Sequence, residues 1–154
     1  MHATATSWEP QTEDWEQVVR NVFAQQGALA LIGAELGSVE LGMVEVTLPR
    51  TPKVTQQYGT VHGGIVGMLA DTAAALAALT VAPAGMVGVT AEYKLNLLAP
   101  ATGELILARG RVIRPGRPLT VAACDVYAVT AGAEQLVATA LVTLAGSRGR
   151  ARVS

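Results

Sequence analysis

Residues 56–82 read QQYGTVHGGIVGMLADTAAALAALTVA, and the fold turns on this stretch. Gly63 or Gly64 opens a helix that runs to about Val81, where Pro83 and Gly85 supply a stop and a turn. The helix is apolar nearly all round, which implies burial on most of its faces. Asp71 is the single formal charge between Val54 and Ala91. Burying an unpaired carboxylate is costly. Asp71 therefore either lies on a wet edge beside polar partners or is kept for chemistry.

Thr72 to Ala91 is 20 residues without a charge, the length of a membrane-spanning helix. Pro83, Gly85 and Gly88 interrupt it, and alanine is the commonest of the remaining residues. MVGVTAEYKLNLL, residues 86–98, reads instead as a strand. The expectation is a buried helix followed by a buried strand, with no membrane span.

Working outward, residues 1–11 read as a loose tail. Thr12 is a candidate N-cap for a first helix, with Glu13 and Asp14 at its positive end. Trp15, Val18, Val19, Val22 and Phe23 then form one apolar helical stripe, ended by Gly27. Ala28–Leu36 reads as a short strand. Val39–Leu48 reads as another, with a slip at Met43-Val44 that suggests a bulge. Downstream, strands are expected near 86–98, 103–113, 119–130 and 135–145, separated by APATG, RPGRP and TAGAE. The pattern is a helix, two strands, a central helix and a four-stranded meander. An antiparallel sheet wrapped on the central helix satisfies it.

Composition removes several functions. The 154 residues carry 11 basic and 12 acidic side chains, net −1, so no basic field attracts nucleic acid. The single cysteine, Cys124, excludes an intramolecular disulfide and suits a reducing, cytoplasmic setting. His2 and His62 are far apart, and no Cys/His cluster has metal-site spacing. Charged residues make up only 15% of the chain, so some surface must be hidden against a partner.

A glycine pair at a helix N-terminus leaves backbone N–H groups unpaired, within the positive end of the helix dipole. Gly63-Gly64 could thus polarise a carbonyl and hold an oxyanion, or simply make a tight turn. Gly63 and Asp71 are eight residues apart, about 12 Å along one helix. One carbonyl cannot reach both within a chain. An antiparallel second copy of the helix would bring its Asp71 beside this Gly63, and the same two-fold axis would build two equal sites.

The segment Gln56-x5-His62-Gly63-Gly64-x6-Asp71 resembles the hotdog-fold thioesterases of the PaaI-like, phenylacetate-degradation and 4-hydroxybenzoyl-CoA thioesterase group. Gly88-Val89-Thr90-Ala91-Glu92-Tyr93, Leu98-Ala99-Pro100, Gly103, Gly116-Arg117 and Val137-Ala138-Thr139-Ala140 extend the resemblance over about residues 28–145. It implies an α+β hotdog fold, with a long central helix wrapped by a curved antiparallel sheet. Residues 1–27 would then form a tail and short helix, 28–146 the hotdog domain and 147–154 a flexible tail. It also implies a homodimer with shared sites, often paired again into a homotetramer. The implied activity is acyl-CoA thioester hydrolysis without metal or organic cofactor.

On this resemblance Asp71 acts as general base or nucleophile. Gly63 is the main donor to the thioester oxygen, supported by Gly64, and His62 orients the loop. Gln56 binds the thioester or the attacking water; many members of the group carry asparagine there. Thr90 positions water. Tyr58, Met68 and Leu69 are candidates to line the acyl pocket. Arg114, Arg117 and Arg111 could meet the CoA phosphates. Two other readings stay open: a non-catalytic acyl-CoA sensor and a hotdog enoyl-CoA hydratase or dehydratase.

Overall fold

The structure is a computed structural model that describes residues 8–148. Helices α1 (Trp15–Ala24) and α2 (Gly27–Ile32) precede strands β1 (Glu35–Glu40) and β2 (Met43–Pro49). The central helix α3 (Gly63–Thr80) follows, then β3 (Met86–Leu97), β4 (Leu105–Arg114), β5 (Leu119–Thr130) and β6 (Ala133–Arg148). The six strands form one antiparallel sheet in the order β1-β2-β4-β5-β6-β3. This is the α+β hotdog architecture.

The central helix meets its expectation. Its 18 residues, about 27 Å long, pass the length and composition test for a membrane span, yet the sheet wraps them. Leu69, Ala70, Ala73, Ala74 and Ala77 are fully buried against it. The alanines keep the helix thin, and Gly110 of β4 lets it come closer still. A Cβ on Gly110 would lie 2.2 Å from the backbone of Ala73. Backbone cannot swing aside as a side-chain tip can. Gly110→Ala is therefore expected to cost about 3 kcal/mol, read as a lower urea midpoint with unchanged m-value.

Several sequence expectations need correction. Most of residues 28–36 is not a strand: the short apolar run forms α2, stopped by Gly33 in the left-handed region at φ 77°, and only Glu35 and Leu36 belong to a strand, β1. Asp14, not Thr12, stands at the N-cap of α1. The slip at Met43-Val44 is the start of a new strand. Glu40 pairs with Met43 across a hairpin, and Gly42 takes φ 78° in its turn. The bulge lies earlier, between Leu36 and Val39.

The four-strand meander is also wrong. Only β4, β5 and β6 follow one another in the sheet; β3 pairs with β6 and forms the far edge. The other three strands lie close to expectation, but β4 starts at Leu105 and β6 runs from Ala133 to Arg148. Residues 1–7 and 149–154, parts of the expected tails, lie outside the described residues.

The N-terminal helix joins the core, since Val19 of α1 is fully buried in the same cluster as α3. Cys124 is also fully buried, and desolvation pushes its thiol up to about 12. It is expected to resist thiol reagents at neutral pH until the protein unfolds.

Candidate active site

Asp71 lies on the face of α3 turned toward β3. It is half-buried, and Thr90 Oγ1 donates a hydrogen bond to its Oδ1 at 2.7 Å. The two residues line one cavity of about 350 Å³ with Val22 of α1 and Gln26 at the start of α2. The carboxylate thus has a polar partner on one oxygen and an open space beside it.

A register shift in β3 makes this contact possible. The pairing with β6 slips between Thr90 and Glu92, so Ala91 is an extra residue. Strand side chains alternate faces, and the extra residue reverses the alternation. Thr90 therefore shares the helix-facing side with Tyr93 and Leu97. A Cβ on Gly67 would lie 3.1 Å from the Tyr93 hydroxyl, and one on Gly63 would lie 3.0 Å from Leu97 Cδ1. The glycines of α3 let β3 lie close along it. Gly67 and the Ala91 bulge were not among the expected site features.

The helix N-terminus forms a second centre. His62 is the N-cap of α3, and the Gly64 N–H donates to its Nδ1 at 2.9 Å. Ile65 N–H and Val66 N–H both donate to the His62 carbonyl. Among the described residues the Gly63 N–H has no acceptor. So the donor available to a ligand is Gly63, while Gly64 is engaged in the cap. Losing that cap in His62→Ala should cost about 1 kcal/mol of stability, measurable by chemical denaturation.

Gln56 and Gly63 line a cavity of about 180 Å³ with Leu97, Ala99 and Val137. The Gln56 side chain is held locally: its Nε2 donates to Thr60 Oγ1 at 2.8 Å, and its Oε1 accepts from the Tyr58 N–H. No residue of this cavity belongs to the Asp71 cavity. Within one chain, the acid and the free N–H donor open into separate spaces.

The remaining candidates scatter. Tyr58 is 82% exposed, and Leu69 is fully buried in the core. Met68 is half-buried. Arg111 and Arg114 are exposed along β4, with Arg111 3.8 Å from Asp125. Arg117 lines a different cavity, at the C-terminal end of α3.

The edge strand β3 carries an uncovered apolar band. Val89, Tyr93, Leu97 and neighbouring Leu98 are each 44–60% exposed. Its outer edge has unpaired backbone groups, the kind of edge that proteins normally protect.

Comparison with known proteins agrees with this architecture. The model of the thioesterase superfamily matches residues 58–134, which include His62, Gly63, Asp71 and Thr90. The chain is 34% identical over 95 residues to the 1,4-dihydroxy-2-naphthoyl-CoA hydrolase of Listeria monocytogenes, spanning 62% of this chain and 77% of that one. A crystal structure of a thioesterase family protein from Silicibacter pomeroyi superposes with a TM-score of 0.85 at 38% identity, covering 88% of this chain and 99% of that one. The E. coli PaaI protein shares the fold, with a TM-score of 0.75 at 20% identity over 88% and 94% of the two chains. A helix that presents one acid and one glycine N-terminus inside a wrapped antiparallel sheet, matched by family and by structure, makes this chain a hydrolase of the thioesterase superfamily.

Proposed function

We propose that the protein hydrolyses an acyl- or aryl-CoA thioester to the free acid and CoA, at sites built from two copies of the chain. The observation that carries this reading is the separation of the Asp71–Thr90 cavity from the Gly63–Gln56 cavity. A two-fold axis midway between Thr90 and Leu97 on β3 would join them. Antiparallel pairing of two β3 edges about that axis sets Thr90 opposite the partner's Leu97. Leu97 touches the Gly63 position, so the partner's Gly63 then approaches this Asp71. The same pairing satisfies the open edge of β3 and covers Val89, Tyr93 and Leu97. The Listeria relative is named for hydrolysis of an aroyl-CoA, which supports CoA as the leaving group.

The chemistry then follows from the groups present. The thioester oxygen accepts a hydrogen bond from the partner's Gly63 N–H, at the positive end of that helix. The Thr90 hydroxyl holds Asp71 Oδ1, leaving Oδ2 to take a proton from water. The water oxygen bonds to the carbonyl carbon, and the tetrahedral oxyanion sits on the Gly63 donor. Collapse breaks the C–S bond, and the proton on Asp71 passes to the departing CoA sulfur. Gln56, beside Gly63, orients the thioester. A single turnover in heavy-oxygen water tests the base role. The label should appear in the product acid at once. Unlabelled product in the first turnover would make Asp71 the nucleophile instead.

Thr90→Val keeps the shape and removes the donor. A hydrogen bond to a charged group contributes about 1.5–3 kcal/mol, so kcat should fall roughly 10- to 100-fold. The release of CoA from acyl-CoA, followed with a thiol reagent, measures it. Wild-type turnover in Thr90→Val would mean that Thr90 does not position the acid.

A further inference from the structure

The cavity at Asp71 has neighbours along the helix. Down α3, Asp71, Ala75 and Leu79 follow at successive four-residue steps on one face. Opposite them on β3, Thr90, Gly88 and Met86 follow at two-residue steps. Leu79 lines three cavities in turn. The first, of about 350 Å³, holds Asp71. The second, of about 150 Å³, lies under Trp15 and Val18 of α1, against Ala82 and Met86. The third, of about 300 Å³, lies under Trp8 between Pro83, Met86 and Leu144. Gly88 lines both the first and the third. It adds no side chain of its own there, and the neighbouring Leu144 side chain, 3.3 Å from where a Cβ would lie, is what a passing tail must move.

The three spaces share Leu79 as a common wall and lie in a row under α1 and the segment before it, so a tail that swings the Leu79 side chain aside would occupy them as one trough. It leads away from the carboxylate toward Trp8. From Asp71 to Val81 the distance is about 15 Å at the helical rise, close to the reach of an extended lauroyl chain. Its far walls are mostly apolar, with Glu9, Gln11 and Thr120 also lining that end and Arg117 exposed at the rim.

We infer that this trough receives the acyl tail of the substrate, that the preferred thioesters carry a flexible medium-length alkyl chain, and that Trp8 closes the end that sets its length. The inference rests on the reading of Asp71 as the hydrolytic carboxylate. Each methylene buried in the trough should tighten binding about fourfold. Tails that reach Trp8 gain throughout this range, and longer ones must displace the indole.

The chain provides its own reporter. Trp8 and Trp15 are its two tryptophans, and both line the trough. Dodecanoate brominated at its terminal carbon should quench their fluorescence in the wild-type protein. Terminally brominated butyrate should need a concentration at least about 10-fold higher for half-effect. Ala82→Phe places a ring between the second and third spaces. It should weaken quenching by the long probe and lower the lauroyl-to-butyryl ratio of kcat/KM, each at least about 10-fold.

Equal quenching by both probes, or a lauroyl-to-butyryl ratio untouched by Ala82→Phe, would overturn the inference. Displacement of the long probe by free CoA would overturn it too, giving the trough to the pantetheine arm. The wild-type quenching comparison stands whether or not Ala82→Phe folds. Quenching by the long probe without CoA release from any thioester would sink the hydrolase reading alone. CoA release indifferent to chain length, without quenching, would sink the acyl trough alone.

Discussion

Asp71→Asn is expected to abolish thioester hydrolysis while leaving the fold intact, lowering kcat by about 10³-fold. The change preserves the size of the side chain. The amide oxygen can still accept the bond that Thr90 Oγ1 gives to Asp71 Oδ1 at 2.7 Å. What disappears is the carboxylate proposed to take the proton from water. Circular dichroism and the thermal midpoint should therefore stay close to wild type while CoA release falls to background. The residue is half-buried rather than sealed in the core, so removing its charge leaves no orphaned partner. Full activity in Asp71→Asn would move the chemistry elsewhere.

Gly63→Pro is the second large effect, expected to lower kcat by about 10²–10³-fold. Proline is tolerated at the first helical position, where the missing N–H would make no bond within the helix. Gly63 occupies that position in α3, and among the described residues its N–H has no acceptor. The substitution therefore removes the one donor assigned to the oxyanion. Leu97 Cδ1 would lie 3.0 Å from a Cβ there, a contact with the tip of a flexible side chain. KM should change less than kcat, because the bond strengthens as the oxyanion forms. Loss of kcat/KM through KM alone would assign Gly63 to ground-state binding.

Much of this candidate site could be read from the chain because a few residues break their surroundings. Asp71 is the only charge in a long apolar stretch, and Gly63 follows His62 at a helix start with Pro83 and Gly85 past its end. A helix of 18 residues carries a strong local signal. The six residues of α2 do not: GALALI fits a strand or a helix, and Gly33 decides it only through its left-handed backbone.

Pairing partners were not legible either. β3 follows α3 in sequence, yet it lies at the sheet edge beside β6, because that order is set by tertiary packing. The extra residue at Ala91 reverses which side chains face the helix. Period-two reading from Met86 would have put Tyr93 on the outer face. The glycines that admit close contact, Gly67 under Tyr93 and Gly110 under Ala73, look like any other glycine until the backbones meet.

Asp71→Asn and Gly63→Pro also permit a direct test of whether each site spans two copies. The two proteins, each inactive alone, would be unfolded together and refolded as a mixture. In a mixed dimer one site collects both substitutions, and the other keeps the intact Asp71 of one subunit and the intact Gly63 of its partner. CoA release should therefore return in proportion to the mixed dimers formed, with each mixed dimer carrying one working site. A mixture that stays as inactive as its two components, with mixed dimers demonstrated by native mass spectrometry, would contradict a site shared across the two-fold axis.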